Sequence, residues 1–222
     1  AELPAGWRLT TPGDARDCSS ELGACDFILV ADRAITADDL AAAPRLRMIQ
    51  HQGVGYDTID LAACRARRIP VGLTPEGTST GVAEHTLLLI LALYKQLLTA
   101  ADAARQGRWL QWELRPTSYE LAGKTLGLVG FGRIGGEVAR RAAAFDARVF
   151  YFDPLVSSSA SVTAERVDTL SALLVSSDIV SLHVPLTAEN RNLISVGSLA
   201  QMKRGAYLVN TARGGIVETD AL

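Results

Sequence analysis

The amino-acid sequence predicts an α/β protein built on open parallel sheets, and three observations predict it. Short apolar strands alternate with helical stretches along most of the chain, which is the pattern of βαβ units. The run Gly123–Gly136, GKTLGLVGFGRIGG, reads without interruption as strand, glycine turn and helix start. After that helix comes a β-branched and aromatic strand, Ala147 to Asp153, which ends in a carboxylate.

The glycine turn is where the chemistry gathers. Thr125, Leu126, Leu128 and Val129 supply the strand, Gly130-Phe131-Gly132-Arg133-Ile134-Gly135 fits G-x-G-x-x-G, and helix formers follow from Glu137. In this pattern the first glycine permits a tight turn, the second lets backbone approach a pyrophosphate, and the third lets the helix pack on its strand. The anion rests on unpaired N–H groups at the helix N-terminus. In a chain with 19 glycines the match is weak by itself, so its context decides. Asp153 stands eighteen residues past Gly135, near the spacing of about 20 expected for an acid that takes an adenosine ribose hydroxyl. A carboxylate there repels a 2′-phosphate, which predicts NAD rather than NADP as cofactor.

Upstream, Phe27–Val30 reads as a strand and Thr36 as the cap of a short helix. Leu46–Ile49 is a second strand, opening into the loop His51-Gln52-Gly53-Val54-Gly55-Tyr56-Asp57; helix Ile59–Arg67 and a third strand, Ile69–Leu73, follow. Thr80 to Gly107 reads as one long helix, apolar on more than one face between Leu87 and Leu93 and therefore covered on several sides. Arg108 to Glu120 reads as an irregular connection. Beyond Asp153 the sequence predicts a polar surface loop at Ser157–Ser161, a helix over Leu170–Val175 and a strand over Asp178–His183. A helix over Val196–Met202 then leads to a last strand, Ala206–Asn210, which opens into Thr211-Ala212-Arg213-Gly214-Gly215. Ligands of open α/β sheets bind beyond the carboxyl ends of the strands, where Gly132, Asp153, His183 and Arg213 all fall.

Composition narrows the function classes. Apolar residues make up 48% of the 222 and charged residues 21%, ordinary values for a soluble globular protein. A net charge of −2 and a pI near 6.0 give no basic footprint for nucleic acid or for an anionic membrane. The longest apolar run, Leu87–Tyr94, falls far short of the roughly 20 residues of a spanning helix. Three cysteines without a CxxC spacing predict reduced thiols in a cytoplasmic protein, with no metal site and no secretory signal. Thr219 to Leu222 reads as the first turn of a helix, so the sequence is expected to be a piece of a longer chain.

Arg213 is the sharpest candidate for chemistry. It follows an apolar strand and precedes two glycines, and its planar five-donor fork can hold a carboxylate in bidentate fashion while polarising a neighbouring carbonyl. His183 ends a strand on the ligand side and is placed to meet the reactive end of a cofactor. His51 precedes the Gly-Val-Gly loop and is a candidate to line a substrate pocket, whereas His85, inside the long helix, reads as a packing or interface residue.

Taken together, GVGYDTIDL, VAEHT, LGLVGFGRIG with Asp153, HVPLT and VNTARGGIVE resemble the NAD-dependent D-isomer-specific 2-hydroxyacid dehydrogenases, a family that includes phosphoglycerate dehydrogenase. The motifs run in family order from about Gly53 to the end of the chain. The resemblance implies two doubly wound domains: a flavodoxin-like substrate domain over 1–79 and a Rossmann NAD-binding domain over 80–222, both incomplete. It further implies an active site in the cleft between them and a homodimer built on the cofactor domain and its long helix. By motif, Gly53, Val54 and Gly55 resemble the loop whose amides hold the substrate carboxylate. Thr74, Gly130, Gly132, Arg133, Ile134, Gly135, Asp153, His183, Val184, Pro185, Thr211 and Ala212 resemble the cofactor contacts, and Arg213 the substrate-binding and catalytic arginine. Leu73 and Glu76 depart from the family pattern, and the family's catalytic glutamate and histidine come after the VNTARGG motif.

The implied activity is hydride transfer between NAD and C2 of a small D-2-hydroxy or 2-oxo acid, 3-phosphoglycerate among the candidates. Two other readings stay open: an NAD-sensing, corepressor-like binding protein, and a formate or phosphite dehydrogenase of the same superfamily.

Overall fold

Parallel pairing of short strands organises both halves of the chain. The computed structural model describes residues 3–11, 18–75, 77–156 and 164–222. It separates into two units, Ala1–Thr78 and Ser79–Leu222.

The first unit runs α1 (Ser19–Leu22), β1 (Phe27–Val30), α2 (Ala37–Ala42), β2 (Met48–His51), α3 (Leu61–Ala66) and β3 (Val71–Gly72). Its three strands pair in parallel in the order β1-β2-β3. α2 starts where a capping box forms: Thr36 Oγ1 accepts from Asp39 N, and the Asp39 carboxylate accepts from Thr36 N at 2.9 Å. At α3 the cap is one-sided: the Asp60 side chain accepts from Ala63 N at 2.9 Å. Val30, Ile35, Leu40, Ile49, Cys64 and Ile69 form the core. The second strand begins at Met48 rather than at the predicted Leu46, because Leu46 turns into that core instead of joining the ladder. Cys18, Cys25 and Cys64 are free thiols, and burial pushes Cys25 and Cys64 above the ordinary thiol range.

The second unit contains α4 (Ser79–Tyr94), α5 (Leu97–Arg105), α6 (Gln111–Leu114), β4 (Thr125–Val129), α7 (Arg133–Ala143), β5 (Arg148–Phe152) and β6 (Glu165–Arg166). It continues with α8 (Leu170–Ser176), β7 (Ile179–Leu182), α9 (Val196–Leu199) and β8 (Tyr207–Asn210). All five strands are parallel, in the order β6-β5-β4-β7-β8. Alternation along the strands feeds two cores. Leu126, Leu128, Tyr151 and Ile179 pack with Ala83, Leu87 and Ile90 of α4 and Val138, Ala139 and Ala142 of α7. Val129, Val180 and Leu182 pack with Leu173 and Leu174 of α8 and with Ile194 and Ile216. Helices on both faces of a parallel sheet make this unit doubly wound, as the sequence predicts.

Three readings are corrected. The stretch predicted as one helix from Thr80 to Gly107 is two, α4 and α5, inclined at 68° about a break at Gln96, whose φ of +51° is left-handed. No single helix among the described residues is long and apolar enough to cross a membrane. The segment predicted to be irregular contains α6 and a 3-10 turn, Arg115–Thr117. The stretch Thr219 to Leu222, read as the first turn of a helix, holds a 3-10 turn over Thr219–Ala221 with Glu218 at its N-cap position. The loop predicted at Ser157–Ser161 lies outside the described residues, and a short edge strand follows it, β6, which the sequence pattern did not announce.

Candidate functional site

The candidate site of the second unit lies at the carboxyl ends of β5, β4, β7 and β8, with the sheet order reversing at β4. The three glycines that follow β4 have different jobs. Gly130 has φ +94°, and a Cβ there would collide with the carbonyl of His183. At Gly135 a Cβ would fall on the carbonyl oxygen of Gly130, so α7 can approach the turn only with glycine here. A Cβ on Gly132 would meet nothing within 4 Å. The chain's own packing therefore demands the outer two glycines and not the middle one, which faces open space at the start of α7. Gly132 is also the N-cap of α7 and supplies no side-chain cap, so the N–H groups of the first turn lack a side-chain acceptor there. That is the cradle a pyrophosphate requires. Arg133 is exposed and Ile134 half-buried beside it.

Asp153 closes the turn from the neighbouring strand. One carboxylate oxygen accepts from Phe131 N at 2.8 Å, while the other accepts from Leu155 N at 2.8 Å and Val156 N at 3.2 Å. Three backbone bonds use three of roughly four lone-pair sites on an ionised carboxylate, leaving acceptor capacity for a ligand hydroxyl. Phe131 in turn stacks on Tyr151, centroids 3.9 Å apart, which pins the turn to β5.

His183 follows β7. Its Nε2 lies 2.9 Å from Ser181 Oγ, and burial lowers its pKa to about 4, so the ring is neutral at pH 7. Val184 is half-buried and Pro185 exposed, the Pro185 carbonyl accepting from Asn190 Nδ2 at 3.1 Å.

Beyond β8, Asn210 braces the turn that carries Arg213: its Oδ1 accepts from Ala212 N at 3.0 Å and its Nδ2 donates to Arg213 O at 2.8 Å. Arg213 is solvent-exposed, in extended backbone, with Nη1 donating to Ala212 O at 2.9 Å. Thr211 Oγ1 lies 3.0 Å from Thr86 Oγ1, and fully buried Thr86 donates to Val82 O at 2.8 Å. Gly130, Gly132, Gly135, Asp153, His183, Thr211, Ala212 and Arg213 thus share one edge of one sheet.

In the first unit the loop after β2 is held by Thr74, just past the end of β3. Gly53, with φ +128°, accepts from Thr74 N at 2.9 Å, and Thr74 Oγ1 donates to His51 O at 3.1 Å and accepts from Gln50 Nε2 at 2.9 Å. Val54 is 38% exposed at the tip and Gly55 half-buried. His51 is 5% exposed, packs beside Gly53, and its Nδ1 has no hydrogen-bond partner among the described residues. His85 is exposed on α4 rather than packed within this chain. Leu73 is exposed and Glu76 lies outside the described residues.

Sequence reasoning missed Thr86, Asn210, Gln50 and Ser181. Thr86 is signalled by a hydroxyl inside an otherwise apolar helix, and Asn210 by an Asx residue at a strand end, where its side chain can mimic a turn.

Comparison with known proteins bears on the family and the cofactor. Residues 87–222 match a family model described as "D-isomer specific 2-hydroxyacid dehydrogenase, NAD binding domain". Hydroxypyruvate reductase of Thermotoga maritima is 41% identical over 188 residues, which cover 85% of this chain and 60% of that protein. D-3-phosphoglycerate dehydrogenase of Archaeoglobus fulgidus is 39% identical over 197 residues, 88% of this chain and 37% of the other. The structure of D-lactate dehydrogenase from Aquifex aeolicus, complexed with NAD and lactic acid, superposes with a TM-score of 0.84 at 37% identity, covering 91% of this chain and 61% of that one. The chain therefore spans 60% or less of the length of these two relatives. The NAD cofactor predicted from Asp153 and the glycine turn is the one that the matched domain binds.

Proposed function

The chain belongs to the D-isomer specific 2-hydroxyacid dehydrogenases, and from that premise we propose that it takes part in hydride transfer between NAD and a small D-2-hydroxy or 2-oxo acid. The observation that carries this reading is the pairing of an open Gly132 with the Asp153 carboxylate that braces the same turn. Pyrophosphate is assigned to the first turn of α7, with Arg133 and Ile134 beside it, and the adenosine ribose to the remaining acceptor site of Asp153. The reactive ring then extends past His183, Val184 and Pro185 toward Thr211 and Ala212. When bound, NAD supplies the hydride acceptor. His183, neutral at pH 7, adds no positive charge beside that ring.

Arg213 is assigned to the substrate carboxylate. Exposed and steadied through Asn210, its guanidinium can grip a carboxylate with two N–H donors and stabilise negative charge on a carbonyl oxygen. Gly53, Val54 and Gly55, set by Thr74, offer backbone amides to the same class of substrate in a domain we assign to substrate binding; Thr74 is also assigned to the cofactor. The relatives include a hydroxypyruvate reductase, a glyoxylate reductase and a D-3-phosphoglycerate dehydrogenase, so hydroxypyruvate, glyoxylate and 3-phosphoglycerate head the list of acids to try. Formate is the alternative that structural likeness favours, because a formate dehydrogenase of Staphylococcus aureus bound to NAD superposes with a TM-score of 0.85.

We further propose a cytoplasmic homodimer. Leu88, Leu93, Leu97, Leu98, Trp109 and Trp112 are each more than 40% exposed within residues 88–112, far more apolar surface than a short stretch of monomer usually shows. The test of function is titration of the protein with NADH and NADPH, followed by a panel of 2-oxo acids and formate. Tighter binding of NADPH than of NADH would overturn the assignment of Asp153.

A further inference from the structure

We infer that Thr86, buried inside α4, locks the hydroxyl of Thr211 as an obligate hydrogen-bond acceptor, and that this selects the amide at the reactive end of the dinucleotide. The inference rests on the dinucleotide reading above, and it follows from counting protons.

A carbonyl can only accept, so the proton in the 2.8 Å contact between Thr86 Oγ1 and Val82 O belongs to Thr86. A hydroxyl has one proton. Thr86 must therefore accept in its 3.0 Å contact with Thr211, and Thr211 must donate. Thr211 has then spent its proton as well, and its oxygen turns only lone pairs toward anything beyond β8. Thr86 is fully buried in a core of Ala83, Leu87 and Ile90, so water does not offer it another partner. Exchanging the donor roles would forfeit the bond to Val82 inside that core, at a cost comparable to a lost buried hydrogen bond.

The sheet order says what an acceptor at this place meets. With pyrophosphate at the end of β4 and adenosine toward Asp153 at the end of β5, the other half of the dinucleotide is directed across β7 to β8. Neighbouring strands lie about 4.8 Å apart, which puts β8 roughly 10 Å from β4. The nicotinamide carries an amide whose N–H groups are the donors of that half's ring. Thr211, on the first residue past β8, is the acceptor for one of them, and Thr86 is the positioning residue that fixes its proton.

The test uses calorimetric titration of this chain with three probes: NAD, its acetylpyridine analogue, in which a methyl ketone replaces the amide, and ADP-ribose, which lacks the ring. The protein should bind NAD about tenfold more tightly than the analogue, the order of one hydrogen bond to a well-placed group. In Thr86→Val the Thr211 proton is released, the hydroxyl can donate to the ketone, and the preference should fall to about threefold or less. Thr86→Ser should keep the tenfold preference. ADP-ribose should bind all three proteins alike, and if Thr86→Val fails to bind it through misfolding, Thr86→Ala takes its place. A preference undiminished in Thr86→Val or Thr86→Ala, one lost in Thr86→Ser, or none in the unmodified protein would overturn the inference. Failure of the unmodified protein to bind ADP-ribose would instead overturn the dinucleotide reading itself.

Discussion

At the scale of single residues, the three glycines of the turn make the sharpest prediction, because protein atoms crowd Gly130 and Gly135 while Gly132 faces open space. Gly135→Ala drives a methyl into the Gly130 carbonyl and should destabilise the fold by about 2 kcal/mol, as overpacked sites do. Gly132→Ala meets no protein atom, so its melting temperature should stay within about 2 °C of the parent while NAD affinity falls about tenfold or more. Equal losses of stability in the two variants would sink the assignment of Gly132 to ligand contact. His183 supplies a pH dependence. Its folded-state pKa, about 4, lies below the ordinary histidine value, so as pH falls the unfolded chain takes up the proton first. Stability from its neutral burial is complete above about pH 6.5 and declines toward pH 4, by about 2 kcal/mol at pH 5. Denaturant unfolding of the protein and of His183→Gln at pH 8 and pH 5 should show a smaller pH difference in the variant. Gly130, Asp153 and Arg213 were legible in the sequence because each stands at a fixed offset from a strand end. Thr86 and Asn210 were not: their partners are set by tertiary contact across 125 residues in one case and by local turn geometry in the other.

At the scale of elements, the break between α4 and α5 shows where sequence periodicity misleads. Every residue from Ala92 to Leu98 is compatible with helix, and the apolar pattern continues through it, so nothing in composition marks a stop. The turn is imposed instead by what the helix end packs on. Tyr94 is 3% exposed, meets Tyr119 and Tyr207 edge to face, and accepts Tyr119 N on its carbonyl at 2.8 Å. Continuing the helix would need that carbonyl for its own ladder. Gln96 then takes the left-handed conformation, which costs a side-chain-bearing residue about 1–2 kcal/mol. Gln96→Gly should therefore leave stability unchanged or raise it by up to about 1 kcal/mol, since relief of that strain is offset by chain entropy. Gln96→Val should lower it by more than 1 kcal/mol, as an approximate bound, because β-branching is least tolerated there. Chemical denaturation of both variants reads the sign directly. β6 escaped notice for a simpler reason: Glu165 and Arg166 are exposed, and two paired residues on an edge leave no apolar alternation to detect.

At the scale of the whole molecule, the second unit buries its sheet on both faces yet leaves a conspicuous amount of apolar surface on α4, α5 and α6. Scattered exposed leucines are normal in any monomer. Here Leu98 is 77% exposed, Trp109 79% and Trp112 67%, and aromatic residues at that exposure are what subunit interfaces collect. None of them contributes to the cores that hold this unit together, so replacing them should leave the fold intact. That separates association from stability. Sedimentation velocity at micromolar concentration should show a dimer for the parent protein, and Leu98→Glu combined with Trp112→Glu should shift it to monomer. The melting temperature of the dissociated variant should fall only by what mass action removes, and its NAD affinity should persist, because the glycine turn, Asp153 and Thr211 are all supplied by a single chain. A parent protein that sediments as a monomer across that range would remove the interface from the proposal without touching the cofactor site, and a variant that dissociates and also loses NAD would show that the site depends on the partner subunit after all.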